Sequence, residues 1–179
     1  KYIKNLVRLK NIYYNEIALS NKNGKAIYYY NRFFESAGSS LSNIVKNDSK
    51  WNFSRKLIFK LLFLKVKNFT KYKVSTITLD NFVKNKKIKL IDILKIDIEG
   101  SEYDLLKGAK NSLKKNKIKI ILVEIIAKKD SYDKKKKKIF NFLKKRNFTL
   151  VKKANIWSIS LFSNIKGGDY LFINRKYSK

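Results

Sequence analysis

Short apolar blocks alternate with Lys- and Asn-rich stretches along the whole chain. Some blocks are rich in Ile, Val, Tyr and Phe and have the length of strands, whereas others repeat apolar residues at helical spacing. The pattern predicts strands over residues 13–20, 26–31, 73–78, 91–98, 118–126, 148–151, 156–162 and 170–174. It predicts helices over residues 55–66, 81–86, 101–113 and 134–146. Strands that alternate with helices indicate an α/β domain with a mainly parallel sheet.

Local signals refine three of these elements. The turn Asn21–Gly24 between the first two strands predicts that those strands pair as a hairpin. Asp80 is predicted to cap the helix that follows it. Ser101, with Asp104 three residues later, resembles a capping box at the start of the next helix. The sequence thus predicts where these helices begin as well as that they form.

The start of the chain resembles the end of a helix. The first residue is Lys1, the sequence contains no Met, and Ile3, Leu6 and Val7 stand at helical spacing with no capping residue before them. No internal repeat and no long linker divides the rest of the chain. We therefore expect residues 1–179 to form a single partial domain of a longer protein.

The charge of the chain is its most extreme property. It has 43 Lys+Arg against 13 Asp+Glu, a formal net charge of +30, which is typical of nucleic-acid-binding proteins. Only five of the basic residues are Arg, however, and Arg has the planar fork that suits phosphate and guanine edges. Because Lys, Asn, Ile, Tyr and Phe are abundant while Pro is absent, we favour a bias toward adenine- and thymine-rich codons. On this interpretation no specific nucleic-acid partner is expected, and the lysine run 134–138 is the solvated start of a helix.

The residue types that are missing exclude whole classes of chemistry. Without Cys there are no disulfides or thiolate metal sites, and without His there is no Ser-His-Asp hydrolase or His-ligated zinc enzyme. No metal site is expected, and proton transfer must use Asp, Glu, Lys, Tyr or water. No stretch reaches the ~18 apolar residues of a membrane span, and no signal-peptide pattern is present, so the sequence predicts a soluble cytoplasmic protein.

The few carboxylates are concentrated in one segment, with five of the thirteen between residues 92 and 104. Asp97 and Glu99 end the fourth predicted strand just before a helix, at the edge where open α/β sheets bind ligands. Because side chains alternate along a strand, both acids are expected to share a face with Lys95. Gly100 allows a tight turn into the helix. An acid that ends an apolar strand is costly unless water, a partner or a ligand receives it, which makes Asp97 a candidate functional residue.

Three neighbouring charges have a structural interpretation. Glu102 and Asp104 stand in the first turn of the following helix, where acids complement the helix dipole, and we favour that role for both. Lys95 lies within a predicted buried strand, where an ammonium group needs an anionic partner. Glu124, near the end of the next strand, is the predicted partner of Lys95.

Four segments, taken together, resemble the FkbM-type methyltransferases. The Lys-Ile-Asp-x-Glu-Gly-x-Glu core is the most specific of them, and the similarity runs from about Asn11 to Arg175. The segments are Ser75–Phe82, Leu94–Glu102, Leu105–Ala109 and Ile121–Glu124. In addition, residues 16–21 with Gly24 resemble the third strand and hairpin of the family.

This resemblance implies a Rossmann-like class I methyltransferase sheet, mainly parallel with antiparallel closing strands, that uses S-adenosylmethionine to methylate a hydroxyl group. Acceptors in the family are typically sugars of surface glycans or polyketide-like metabolites. Asp97 would face the methyl donor and the acceptor, and Ala18 and Ser20 would lie near the adenosine pocket. Because the chain has no His, Asp97 or Glu99 is the predicted base or hydroxyl-orienting group. Support for the substrate or the site is expected from Lys95, Gly100, Glu102 and Glu124.

Two features depart from the family pattern. The six Gly residues contain no Gly-x-Gly loop to cradle the donor, and the first two strands of the family are missing, about 60 residues as two βα units. We therefore expect this chain alone to be inactive and not to bind S-adenosylmethionine. The alternative function is a basic nucleic-acid-binding module or a non-catalytic interaction module derived from a methyltransferase fold.

The segment 42–73 is longer than the family usually allows and contains the apolar helix predicted over 55–66. Lys60 and Lys65 interrupt this helix. Its apolar side chains suit the protein core, a lid over the acceptor, or a peripheral contact with a membrane or partner surface. The pattern does not decide among the three.

Overall fold

Two β-sheets and four α-helices make up the described part of the protein, a computed structural model that describes residues 11–31, 41, 69–158 and 165–178. The strands are β1 (Ala18–Leu19), β2 (Gly24–Asn31), β3 (Phe69–Ile77), β4 (Ile91–Ile96), β5 (Ile118–Lys128), β6 (Phe148–Ser158) and β7 (Ile165–Asn174). The helices are α1 (Leu79–Asn85), α2 (Glu102–Gly108), α3 (Lys110–Lys114) and α4 (Lys129–Lys144), followed by a 3-10 turn over Arg175–Tyr177. The predicted α/β class is therefore confirmed.

The first sheet has the strand order β1-β3-β2, and this order contradicts the predicted hairpin. β1 runs parallel to β3, with Ala18 opposite Thr76, and β2 runs antiparallel to β3 along its other edge. The turn that was expected to join a hairpin instead passes over the end of β3, where the Asn23 side chain accepts a hydrogen bond from the Thr78 N–H at 3.0 Å. β2 is thereby directed to the far edge of β3 rather than to β1.

The second sheet has the strand order β4-β5-β7-β6. β4 and β5 are parallel, whereas β7 pairs antiparallel with both β5 and β6. Two of the five strand pairings in the described residues are parallel, so the expectation of a mainly parallel sheet is wrong for this part of the chain. The antiparallel pairs are β2–β3, β5–β7 and β6–β7, and the two that include β7 agree with the antiparallel closing strands that were expected.

Helices cover one face of the second sheet. Val123 and Ile125 point to this face and are fully buried. The ring of Phe140 in α4 packs edge-on against Tyr170 and Phe172 of β7, at centroid distances of 5.0 and 5.1 Å. Side chains of α2 join the same apolar cluster. On the opposite face Ile93 is exposed, and this is also the face of the candidate site.

Helix boundaries differ from the predictions in informative ways. The cap of α1 is Thr78, whose hydroxyl accepts a hydrogen bond from the Asn81 N–H, so Asp80 does not have the predicted role. Ser101 precedes α2 but makes no capping hydrogen bond with its side chain, so the predicted capping box is absent there. The predicted helix 101–113 is divided at Ala109 into α2 and α3.

Two predictions fall on residues outside the described part. These are the helix-like start of the chain and the apolar helix over 55–66 with its suggested membrane contact. In the residues that are described, no helix is both long enough and apolar enough to cross a bilayer.

Candidate functional site

The candidate site lies at the carboxyl ends of the two parallel strands β4 and β5. Lys95 is opposite Leu122, and Glu124 is opposite Asp169 of the antiparallel strand β7. Asp97 directly follows β4. Because side chains alternate, Lys95, Asp97, Glu124 and Asp169 project from the sheet face opposite the one that the described helices cover. The fold thus brings charges from three strands to one edge.

Lys95 and Asp97 form an ion pair, with 3.0 Å between Lys95 Nζ and Asp97 Oδ2. The side chains are 65% and 43% exposed, so the prediction that Lys95 is buried is wrong. The predicted Lys95–Glu124 pair is also wrong, because Lys95 pairs instead with Asp97, which directly follows β4. The hydrogen bond that Lys95 donates to Asp97 raises the pKa of Lys95, and the charge of Glu124 contributes to this shift only at longer range.

Asp97 and Glu124 are joined by a hydrogen bond between their side chains. This bond is the main reason that the pKa of Asp97 lies below its ordinary value, and Lys95 acts in the same direction. Burial, together with the bond to Asp97, raises the pKa of Glu124 to about 8. The opposite directions of the two pKa shifts favour one proton for the pair at neutral pH, with Glu124 as the hydrogen-bond donor and Asp97 as the acceptor.

Two further acids act on Glu124. The negative charges of Glu99 and Asp169 both raise the Glu124 pKa. Glu99 does not continue the strand, because it lies in the turn after β4 with a φ of 49°, and Gly100 follows with a φ of 108°. The expected turn at Gly100 is therefore observed, whereas the simple alternation from Asp97 to Glu99 is not.

Asp169 was missed by sequence reasoning, although a signal for it exists. It follows two glycines, and a Cβ atom at Gly168 would lie 2.6 Å from the Tyr132 hydroxyl oxygen. That hydroxyl is buried and lies 2.7 Å from the hydroxyl oxygen of Tyr170. Asp169 directly precedes the predicted strand 170–174, just as Asp97 stands near the end of another apolar strand, and an acid at the end of an apolar run is the signal that could have identified it.

Glu102 is buried beneath the site and does not belong to the exposed acidic group. Its side chain is 0% exposed, Oε1 accepts a hydrogen bond of 2.5 Å from the Gly100 N–H, and Oε2 lies 2.5 Å from Lys135 Nζ. The Oε2 contact is an ion pair rather than a well-angled hydrogen bond. Lys135 belongs to the lysine run predicted to be solvated, and with a side chain only 17% exposed it contradicts that prediction.

Ala18 and Ser20, the residues expected near an adenosine pocket, lie in and just after β1 in the other sheet. The Ser20 N–H donates to the Ile77 carbonyl at 3.0 Å. A Cβ atom at Gly108 would lie 2.0 Å from the Ser20 carbonyl oxygen, so the end of β1 packs directly on α2. The described contacts of Ser20 are therefore with β3 and α2, the helix that follows the candidate site.

The residues present limit what the site can do. In the part of the chain that the structure describes, no group of three or more acidic side chains is arranged to hold a metal ion. The site instead offers a carboxylate that stays ionised, a neighbouring carboxylic acid and an ammonium group. This combination can accept a proton or a hydrogen bond from a hydroxyl group and can balance a nearby positive charge.

Comparison with known families identifies the chain. The model of the Methyltransferase FkbM domain matches residues 3–150, which include β1 to β5 and therefore Lys95, Asp97, Glu99 and Glu124. β7 and Asp169 lie beyond the match. Neither the curated proteins nor the solved structures give a match to the chain. Because the family model covers most of the chain, the protein belongs to the FkbM methyltransferase family.

Proposed function

We propose that the protein is an S-adenosylmethionine-dependent O-methyltransferase whose acceptor is a hydroxyl group of a sugar, a glycan or a related metabolite. The observation that supports this proposal is the state of Asp97 at the end of β4. Its carboxylate is held ionised between the Lys95 ammonium group and the protonated Glu124 carboxyl group. A carboxylate that stays ionised can accept a hydrogen bond from an alcohol and orient it, and it can take the proton once attack on the methyl group has made the hydroxyl acidic.

The charges of the site fit the proposed methyl donor. When bound, S-adenosylmethionine would supply an electrophilic methyl group on a positively charged sulfonium. The carboxylates of Asp97, Glu99 and Asp169 provide negative charge in a protein whose net charge is +30. Ala18 and Ser20 are the residues we propose for the adenosine side, since β1 ends against α2.

Each side chain has a separate proposed role. Asp97 accepts the proton of the acceptor hydroxyl as the oxygen becomes nucleophilic, which typically contributes ~10²–10⁴-fold to a rate. Glu124 donates a hydrogen bond that keeps Asp97 ionised and fixes its orientation. Lys95 balances the charge of Asp97 on the solvent side. Glu99 is the alternative base, since its charge also reaches this group.

The test is the substitution Asp97→Asn in the full-length protein. It keeps the size of the side chain and removes the proton acceptor, so methyl transfer from tritiated S-adenosylmethionine to a panel of monosaccharides is expected to fall at least ~100-fold. Circular dichroism is expected to be unchanged. Asp92→Asn is the matched control, because Asp92 is an exposed acid of the same strand that pairs with Lys119.

Wild-type rates in Asp97→Asn would remove Asp97 from this role. If Glu99→Gln alone then lowered the rate, the base would be Glu99. If neither substitution changed methyl transfer, the catalytic interpretation of this strand end would be wrong.

A further inference from the structure

Gly100 is held by hydrogen bonds on both of its peptide groups. Its N–H donates to Glu102 Oε1 at 2.5 Å, and its carbonyl oxygen accepts from Lys135 Nζ at 2.7 Å. Gly100 and the preceding Glu99 both have positive φ, a conformation that is unfavourable for a non-glycine residue. The turn that follows Asp97 is therefore held by side chains from two helices rather than by the backbone preferences of its own residues.

The Lys135 ammonium group contacts three oxygen atoms. Besides the Gly100 carbonyl, Nζ donates to the Ile126 carbonyl at 2.8 Å and lies 2.5 Å from Glu102 Oε2. The three acceptors belong to the turn after β4, to β5 and to α2, while Lys135 itself belongs to α4. We call the group formed by Gly100, Glu102, Ile126 and Lys135 the Gly100 clasp.

The other lysines of the run do not have this environment. Lys134, Lys137 and Lys138 are exposed, and Lys136 pairs with Asp133 one helical turn earlier. A general drift toward lysine explains surface charges such as these. It does not explain an ammonium group placed against two backbone carbonyls and a fully buried carboxylate.

We propose that Lys135 is a positioning residue that, through the Gly100 clasp, holds the Asp97 end of β4 against the Glu124 end of β5. Gly100 is three residues after Asp97, and Ile126 is two residues after Glu124, so one ammonium group ties both strand ends together. The proposal deepens the proposed function, because Asp97 is the catalytic residue suggested there.

The Asp97–Glu124 pair supplies a readout that does not depend on catalysis. Among the described residues, the charged groups that face Glu124 are Lys95 from β4, Asp97 and Glu99 from the segment after it, and Asp169 from β7. If the strand ends separate, Glu124 becomes better solvated and the hydrogen bond that it donates to Asp97 weakens, so the Glu124 pKa falls from about 8 toward its ordinary value of 4.5. If the substitution acted only by removing a nearby positive charge, the Glu124 pKa would shift in the opposite direction, because loss of a cation raises the pKa of a carboxyl group.

The experiment is a ¹³C NMR titration of the glutamate and aspartate side-chain carboxyl groups, with the Glu124 and Asp97 signals assigned by Glu124→Gln and Asp97→Asn. In Lys135→Met we expect the Glu124 midpoint to fall by at least one pH unit and the Asp97 midpoint to rise. Lys137→Met, an exposed lysine of the same run, is the control and should leave both midpoints in place. Unchanged midpoints in folded Lys135→Met would overturn the proposal.

A second variant separates positioning from stability, because Lys135→Met alone leaves the buried Glu102 without its cationic partner and can fail to fold. Glu102→Met combined with Lys135→Met removes both charges and fills their volume with apolar groups, a change that folded proteins generally tolerate. We expect this double variant to fold, to show the shifted Glu124 midpoint and to lose methyl transfer in kcat more than in KM. A folded double variant with the wild-type midpoint would show that the clasp has only a structural role.

The outcome is separable from that of the proposed function. If Asp97→Asn leaves methyl transfer intact while Lys135→Met shifts the Glu124 midpoint, the catalytic assignment is wrong and the clasp still positions the pair. If Asp97→Asn abolishes methyl transfer and no Lys135 variant shifts the midpoint, the catalytic assignment stands and the clasp proposal fails.

Discussion

At the scale of single residues, Asp80 was predicted to cap the helix next to it but instead bonds to a helix that is distant in the sequence. Its carboxylate accepts hydrogen bonds from the Asn111 N–H at 2.8 Å and from both the N–H and the hydroxyl of Ser112 at 2.7 Å. Asp80 stands in the first turn of α1, but all three donors belong to α3. The carboxylate therefore joins two helices through residues that are 31 positions apart in the sequence.

Replacing this carboxylate is expected to destabilise the protein. Asp80→Ala removes a charged acceptor and leaves the partly buried Ser112 donors without their partner, a loss of about 1.5–3 kcal/mol in the free energy of unfolding. Urea denaturation followed by circular dichroism measures the effect. The exposed Asp92 has one ion pair, with Lys119, so Asp92→Ala should cost less than about 1 kcal/mol. Equal losses in the two variants would contradict the bridging role.

At the scale of elements, the sequence predicted the type of each segment, strand or helix, better than it predicted the pairing partner of each strand. The apolar blocks that became β4 and β5 were identified correctly because a continuous apolar run is a local property. The partner of β1 was not identified correctly, because that partner is β3, nearly 50 residues away in the sequence. β3 takes the place beside β1 that the hairpin prediction gave to β2. Lys135 was missed for a related reason, since nothing in a run of five lysines marks the one that a neighbouring helix and strand bury.

The ion pair between α2 and α4 makes an element-scale prediction about stability. Lys135→Met should cost about 3–5 kcal/mol, because the fully buried Glu102 carboxylate loses the only charge beside it in the described residues. Adding Glu102→Met should recover most of this loss, since two apolar side chains of similar volume replace the pair. Chemical denaturation of the wild type, both single variants and the double variant gives the coupling free energy. Additive losses would show that the two side chains do not interact.

At the scale of the whole molecule, the Asp97–Glu124 pair gives stability a defined pH dependence. The Glu124 pKa is raised in the folded protein, so between pH 4.5 and about 8 the folded state binds more protons than the unfolded state. Stability must then fall as the pH rises through this window. The slope is at most about 1.4 kcal/mol per pH unit, and it is smaller because solvent reaches the pair.

Asp97 affects the stability of the protein at acidic pH. Its pKa is lowered on folding, so its contribution is present above its ordinary value of 3.8 and is lost as the pH falls through the folded value. For these two groups together, stability is expected to be greatest near pH 4–5. Thermal denaturation from pH 3 to pH 9 measures the profile, and Glu124→Gln should flatten its alkaline side. If the stability of the wild type rose from pH 5 to pH 8 as steeply as that of Glu124→Gln, the protonated state of Glu124 would be contradicted.

The position of β7 in the second sheet has a practical consequence for shortened forms of the protein. A chain cut where the family match ends, at residue 150, keeps Asp97 and Glu124 but loses the strand that pairs with β5 from Ile120 to Lys128. The bared edge would be an apolar strand with nine unpaired positions, the kind of surface that recruits other strands and leads to aggregation. Soluble expression should therefore require the residues through Tyr177, whose hydroxyl donates to the carbonyl of Asn116 at 2.9 Å just before β5 begins.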